Sequence, residues 1–323
     1  MRSIISLVIF ISSVTWAAAA IHTAFAESSY ENFSSRARKL VQKTNYDNWS
    51  RSRKTADINY KTDIPKEFDA RQYFISCANV IGDVKDQGNC ASSWAVAVAS
   101  TFTDRLCIAS NGKFTDNLSA QNLMSCGDDE KLGCDGGSAY KAWEFTMGKG
   151  IVTGGPYDSN EGCQPYKNRP CDHYGDSSLT NCSSLRRTQM MFCRDKCVNK
   201  NYKVKYEDDL YKTSVVYMTS WTNVKQIQQE IMTYGPVTAF MYVYENFMGY
   251  KEGVYKSTAG ELIGYHHVKL IGWGVDEAGI EYWLAMNSWN SNWGNDGLFK
   301  ILRGYNFCSI ELLVMAGLVD VSQ

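Results

Sequence analysis

A cysteine, two serines and a tryptophan stand close together in DQGNCASSWAVAVAS, Asp86 to Ser100. Cys90, Ser92 and Ser93 are all candidate nucleophiles there, because a thiol or hydroxyl forms covalent intermediates once a neighbouring base takes its proton. Bases are scarce, since the chain has four histidines. His22 lies in the N-terminal apolar segment, which leaves His173, His266 and His267. An imidazole held by an amide or a carboxylate is the usual activator of such a nucleophile. NSWNSNWG supplies the amide, Asn287, with tryptophans nearby that could shield its hydrogen bond from water. Nucleophilic catalysis is the chemistry this set could do, and the residues alone leave the choice among Cys90, Ser92 and Ser93 open. A metal centre on His266 and His267 is a poor reading, because adjacent strand residues point to opposite faces and no ligand set converges. Neither a metal nor a cofactor is expected.

These residues need a scaffold and a compartment. A chain of 323 residues, 44% hydrophobic, has room for one large domain or two sub-domains around a substantial core. Its formal net charge of −1 gives no electrostatic reason to expect a nucleic-acid partner. Eleven cysteines read mostly as disulfides made in an oxidising compartment, and the odd count leaves at least one unpaired.

The N-terminus points to the same compartment. Arg2 is followed by an apolar run from Ile4 to Trp16 and by small residues ending at Ala24-Phe25-Ala26, which is signal-peptide grammar for residues 1–26. The run is shorter than the roughly 20 residues a bilayer span needs, and no later stretch is long and apolar enough, so no membrane span is expected. Sequons at Asn32, Asn48, Asn117 and Asn181 fit a glycosylated secretory product, extracellular or lysosomal. Residues 27–63 are polar, basic and poor in aliphatics, and read as a shortened propeptide-like leader before a globular pattern that starts at IPKEFDAR.

The elements that must carry the site follow in order. After Ser93 the chain is apolar almost all round for three turns and stops at Asn111-Gly112, which predicts a buried helix. LSAQNLMSC and SAYKAWEFTMGKG predict shorter helices, and NVKQIQQEIMTYGP places Val224, Ile227 and Ile231 on one face before Gly235-Pro236 ends it. VTAFMYVY, HHVKLIGWGV, EYWLAMNSW and LFKILRG are β-branched and aromatic runs between Gly, Asn and Asp, and predict successive strands. A helical, cysteine-rich half before a strand-rich half argues for an α+β protein of two sub-domains.

Together these motifs resemble the papain family of cysteine proteases, and within it the cathepsin B-like branch. The resemblance runs from Ile64 to the C-terminus. QGNCASSW resembles the nucleophile segment, GCDGG the substrate-backbone loop (Gly136, Gly137), YHHVKLIGWG the histidine strand and NSWNSNWG the asparagine strand. CDHYGDSSLTNC, Cys171 to Cys182, is similar to the occluding loop of the branch. The resemblance implies a papain-like fold over 64–323, with a helical left domain, a β-barrel-like right domain and the active site in the cleft between them.

Site roles carry over residue by residue. The family pattern is Cys-x-Ser-Cys-Trp, with the second cysteine as nucleophile, and at that position stands Ser93. The resemblance implies a disulfide for Cys90, an ordinary serine for Ser92, His266 as general base, Asn287 as the residue orienting it and Gln87 as part of the oxyanion hole. It also implies five disulfides, Cys77-Cys107, Cys90-Cys134, Cys126-Cys193, Cys163-Cys197 and Cys171-Cys182, which leave Cys308 as the free thiol. Positions lining the main specificity pocket are small in the branch and are Phe240, Tyr265 and His267 here, with Leu313 at the usual acidic position and Ala139 where proline is usual. His173 keeps one occluding-loop histidine, able to pair with Asp86, while the second is Tyr174.

A serine in that seat changes the chemistry. The family thiol is pulled to a pKa of roughly 3–4 by an imidazolium and a helix N-terminus, giving a preformed thiolate. A hydroxyl is too weak an acid for that, and Asn287 cannot stabilise an imidazolium by charge. The expectation is a proteolytically inactive or severely impaired homologue with a filled pocket. Its ligands would be peptides or proteins, cystatin-like inhibitors among them, and it would act as a monomer. The alternative is an active secreted or lysosomal cathepsin B-like endopeptidase of altered specificity.

Overall fold

The computed structural model describes residues 63–127, 133–174, 178–186, 192–219 and 222–319. They belong to the second of two units into which the chain divides, Asn59–Gln323. The expected signal peptide and all but Asp63 of the expected leader lie outside the described residues.

Helix α1, Ser93–Ala109, is the centre of the helical half. Every residue from Ser93 to Cys107 is buried, as an apolar all-round surface requires. Alanines at 95, 97 and 99 keep the helix narrow, so that α2 (Ala120–Cys126) and α3 (Ala139–Gly148) pack on one side and the sheet on the other. Ser119 and Ser138 cap α2 and α3, accepting hydrogen bonds from the backbone N–H groups of Asn122 and Lys141. α4, Val224–Tyr234, buries Ile227 and Ile231 and is capped by Asn223.

The other half is one sheet of eight strands. These are β1 (Phe68–Asp69), β2 (Thr213–Met218), β3 (Val237–Tyr244), β4 (Val254–Tyr255), β5 (Leu262–Val275), β6 (Glu281–Met286), β7 (Leu298–Leu302) and β8 (Val314–Val319). The order is β2-β8-β3-β5-β6-β7-β4, with β1 paired to β5, and only the β4–β7 pair is parallel. The long strand β5 closes the right domain: its first part pairs with β3 and, past a shift in register near Leu270, its second part pairs with β6. β1 reaches β5 at Gly272, where an added Cβ would lie 2.1 Å from the Phe68 carbonyl oxygen, so only glycine admits that crossing.

Two buried charge networks hold α1 to the sheet. Arg105 fills all five donors of its guanidinium. Nε donates to the Pro236 carbonyl at 2.7 Å, Nη1 to Tyr217 Oη at 3.1 Å and the Gly317 carbonyl at 3.2 Å, and Nη2 to Glu230 Oε1 at 3.0 Å and the Gly235 carbonyl at 3.1 Å. Lys269 uses its three protons on Asp104 (2.7 Å), Ser100 Oγ (2.8 Å) and the Ile81 carbonyl (3.1 Å).

The reading of the first half as helical holds through α3 and fails beyond it. From 149 to 212 the described chain contains only short 3-10 turns and isolated bridges, such as Ile151 with Tyr211. There Cys163–Cys197 and the Asp209 carboxylate, which accepts from Thr153 N, Thr153 Oγ1 and Tyr202 Oη, tie down the backbone. Cross-links and local hydrogen bonds do the work that a periodic apolar face does in a helix. The other four pairs named from the resemblance are also bridged, and Cys308 is free.

Candidate active site

The three candidates of the opening motif part company at the head of α1. Cys90 is bridged to Cys134. Ser92 precedes the helix without capping it; its Oγ lies 2.7 Å from Tyr166 Oη, which donates to the Gln87 carbonyl at 2.8 Å. Ser93 opens the helix, is 7% exposed and accepts a hydrogen bond from the backbone N–H of His267 at 3.2 Å. That bond reaches across from α1 to β5, so the serine oxygen sits where helix and sheet meet.

His266 and His267 leave β5 on opposite sides. His266 Nε2 lies 2.8 Å from Asn287 Oδ1, and its ring packs against Trp289 with centroids 5.0 Å apart. Asn287 is held by its own N–H to the Gly297 carbonyl at 2.9 Å. Gln87 is fixed at both ends of its amide: Nε2 donates to the Cys90 carbonyl at 2.8 Å and Oε1 accepts from Ser288 Oγ at 2.7 Å. These bonds and the Gln87 N–H to the Ser288 carbonyl at 2.9 Å tie the segments carrying Gln87 and Asn287 together.

Asp86 is the hub behind that piece. It accepts from Gly88 N (2.7 Å), Asn290 Nδ2 (2.9 Å) and Cys171 N (3.1 Å), and His173 Nε2 stands 2.8 Å from its Oδ1. His173 also stacks on Trp289, with centroids 6.0 Å apart. One indole thus separates the two imidazoles. Tyr174 instead packs on Gly249, where an added Cβ would lie 2.3 Å from the tyrosine oxygen, and its ring centroid is 5.7 Å from Lys251 Nζ. Sequence reasoning singled out His173 and Asp86 but missed Asn290 and Ser288, whose signal lies in the same NSWNSNWG motif.

Four of the five residues expected at the specificity pocket, Phe240, Tyr265, His267 and Leu313, lie on or beside the β3–β5 pair. Phe240 faces His267 across the β3–β5 pair, with ring centroids 5.7 Å apart, and stacks on Tyr265 at 6.0 Å. Phe240 N donates to the Leu313 carbonyl at 3.2 Å. Tyr265 is 67% exposed, while His267 is buried. On the helical side, Ala139 is buried at the start of α3, and Gly136 leaves open space around its Cβ position at a φ of 122°. Gly137 lies flat against the Trp94 indole, 2.2 Å from where a Cβ would be. Gly137→Ala is therefore expected to destabilise the fold by about 1–3 kcal/mol through overpacking and to shift Ser93 with its neighbour Trp94; a thermal melt of the variant checks it.

Burial sets the charge of the imidazoles. His266 is held down to about 4, first by burial, with the Asn287 bond pulling upward and the charge of His173 lowering it further. His267 is held down to about 3 by burial and then by His266. Asp104 is pushed up to about 6 by burial, against the pull of Lys269. Each histidine binds a proton in the unfolded chain below its ordinary 6.5 but not in the folded chain until much lower, so stability falls as the pH drops. Asp104 works oppositely between its ordinary 3.8 and about 6, where the folded chain keeps a proton that the unfolded chain has lost. Asp209, also raised by burial, works in the same direction as Asp104, so the loss from the two histidines is least offset in the upper part of the window, from their ordinary 6.5 down to about pH 5. Urea midpoints measured across that range are expected to fall with acid, and His267→Ala to flatten the slope; a flat wild-type profile contradicts it.

The described Cys–His–acid clusters are not open metal sites. Cys171, His173 and Cys182 form one and Cys126, Cys193 and Asp195 the other, and each contains both sulfurs of a disulfide, with no thiolate to ligate. A groove of about 430 Å³ lined by Phe68, Tyr73, Trp273 and Tyr282 contains none of the residues singled out from sequence.

Comparison with known proteins decides the family. The profile described as papain family cysteine protease matches residues 64–318. The chain belongs to the papain family of cysteine proteases. Relatives at 41–43% identity are cathepsin B-like cysteine proteinases. It is 43% identical over 266 residues to cathepsin B-like cysteine proteinase 4 of Caenorhabditis elegans, covering 82% of this chain and 78% of that one. It is 41% identical over 264 residues to a cathepsin B-like cysteine proteinase of Schistosoma japonicum, covering 81% and 75%. Among solved structures, procathepsin B S9 from Trypanosoma congolense aligns with a TM-score of 0.68 at 32% identity, over 81% of this chain and 80% of that one. The papain-like α+β fold expected from sequence is thereby established.

Proposed function

We propose that this papain-family chain is a cathepsin B-like homologue without effective proteolytic activity, which binds peptide or protein ligands in its cleft. The observation that carries the reading is a serine at the head of α1, where the family places its thiolate, beside an otherwise intact His266–Asn287 pair. In this reading His266 would be the base, Asn287 its orienter and Gln87 an oxyanion-hole donor. With its proton affinity held down to about 4, His266 is neutral at physiological pH and has no anion to pair with. Ser93 Oγ accepts a bond from the His267 N–H, an arrangement that does nothing to remove the hydroxyl proton. The contacts of Phe240 with Tyr265 and His267 support a specificity pocket narrowed by rings, and Leu313 would offer no charge to a basic substrate side chain.

The same reading makes the protein a product of the secretory pathway, extracellular or lysosomal, with a removable signal peptide and short leader. Five disulfides support it. Among the described residues no helix is long and apolar enough to cross a membrane. Titration with a cystatin-type inhibitor and with unstructured peptides tests the binding role: saturable binding with ligand recovered intact is expected, and ligand cleaved in a Ser93-dependent way sinks it. A second reading, an active endopeptidase of altered specificity, draws on the retained Gln87, His266 and Asn287 geometry and would show itself as that cleavage.

A further inference from the structure

Of the four sequons, Asn117 and Asn181 lie among the described residues, and the fold treats them differently. Asn117 is half-buried: its Oδ1 accepts from Lys85 Nζ at 2.5 Å and its carbonyl from Gly154 N at 2.7 Å. The serine of that sequon, Ser119, is 1% exposed and donates to the Gln164 carbonyl while capping α2. Asn181 is exposed and makes only local side-chain contacts. Its Oδ1 accepts from Ser183 N at 2.9 Å and Ser183 Oγ at 2.7 Å, a turn confined to the sequon itself, and its Nδ2 has no hydrogen-bond partner among the described residues.

We propose that Asn181 carries an N-linked oligosaccharide. The donor is a lipid-diphosphate-linked oligosaccharide: the sugar C1–O bond breaks, a C1–Nδ2 bond forms, and the lipid diphosphate leaves with the amide proton as its counterpart. The local turn at Asn181 needs no tertiary structure, so the sequon is ready as the chain emerges, and the finished fold leaves Nδ2 facing water. Asn181 belongs to the returning arm of the loop closed by Cys171–Cys182, where Asp172 N donates to the Thr180 carbonyl and Cys182 N to the Asp172 carbonyl. The outgoing arm holds His173 against Asp86 and Trp289. A glycan at Asn181 therefore covers the solvent face of the loop whose other face borders His266 through Trp289, and it restricts access of large partners from that side.

The inference rests on the secretory reading, and one experiment separates the two. The full chain is expressed with its own N-terminus in a eukaryotic secretory host, its disulfides are mapped, and it is treated with peptide N-glycosidase in heavy-oxygen water before peptide mass mapping. The expected result is heavy-oxygen label at position 181 in a chain with its bridges formed, lost in Asn181→Gln and Ser183→Ala and retained in Ser183→Thr. Bridges formed and position 181 unlabelled overturns the assignment, whether or not other sequons are labelled, and leaves the secretory reading standing. A chain retained in the cell with its cysteines reduced overturns both.

Discussion

Ser93→Cys is expected to raise peptide hydrolysis by on the order of 10³-fold over the parent chain. Substrate binding and oxyanion donors alone leave a crippled hydrolase with ~10³–10⁴ over water, whereas a complete nucleophile–base unit adds the remainder. The His266–Asn287 bond at 2.8 Å is already in place, and a thiol at the N-terminus of α1 gains from the helix dipole what a hydroxyl cannot use. Forming a thiolate would also raise the His266 proton affinity from its depressed value, since an anion would then face the ring. An alkylating agent is expected to label the variant at position 93. The background is low, because burial pushes the Cys308 thiol up to about 12 and the other ten cysteines are bridged. The gain should grow further when Phe240→Ala, Tyr265→Gly and His267→Ala are added, with most of the improvement in KM for large substrate side chains. Labelling without turnover in the single variant, and turnover only in the quadruple one, would assign the larger share of the block to the rings.

Arg105→Met is expected to cost about 3–5 kcal/mol of stability, the usual price of stripping one partner from a buried ion pair. Arg105 is 1% exposed and its five donors satisfy Glu230, Tyr217 and three carbonyls. Removing it leaves Glu230, fully buried, with only the Tyr217 hydroxyl for company. Adding Glu230→Gln to Arg105→Met should return part of the loss, because the orphaned charge goes with it. Denaturant midpoints of the disulfide-intact single and double variants check this. Equal stability of the two would mean that the lost carbonyl contacts, and not the charge, dominate.

Legibility from sequence followed the range of the forces involved. Helix α1 was readable because burial on all sides leaves an unbroken apolar run, and α4 because Ile227 and Ile231 mark one face. The strand read from His266 in fact begins at Leu262, since Leu262 and Tyr265 pair with β3 on either side of a register shift at Ile263, and all three stay exposed with no inward–outward alternation. Strands β2 and β8, TSVVYM and VMAGLV, went unassigned although both are rich in strand formers; their pairing joins residues about a hundred positions apart. In the site, His266 and Asn287 stood out through residue type, while Ser93 was separated from Cys90 and Ser92 only by the family resemblance. Of the Asp86 hub, only the partnership with His173 was legible, because the bonds to Cys171 and Asn290 join residues 85 and 204 positions apart. Ring bulk was legible as residue identity, but the stacking of Phe240 on Tyr265 and its edge-on contact with His267 required the strand register.

The most direct test of the central claim is the rate of peptide hydrolysis by the purified chain carrying Ser93, measured beside Ser93→Cys and a His266→Ala control from the same preparation. The Ser93 rate is expected to be indistinguishable from that of His266→Ala and well below that of Ser93→Cys. A Ser93 rate within tenfold of Ser93→Cys, abolished by His266→Ala, would contradict it and identify a working serine hydrolase on a papain-family scaffold.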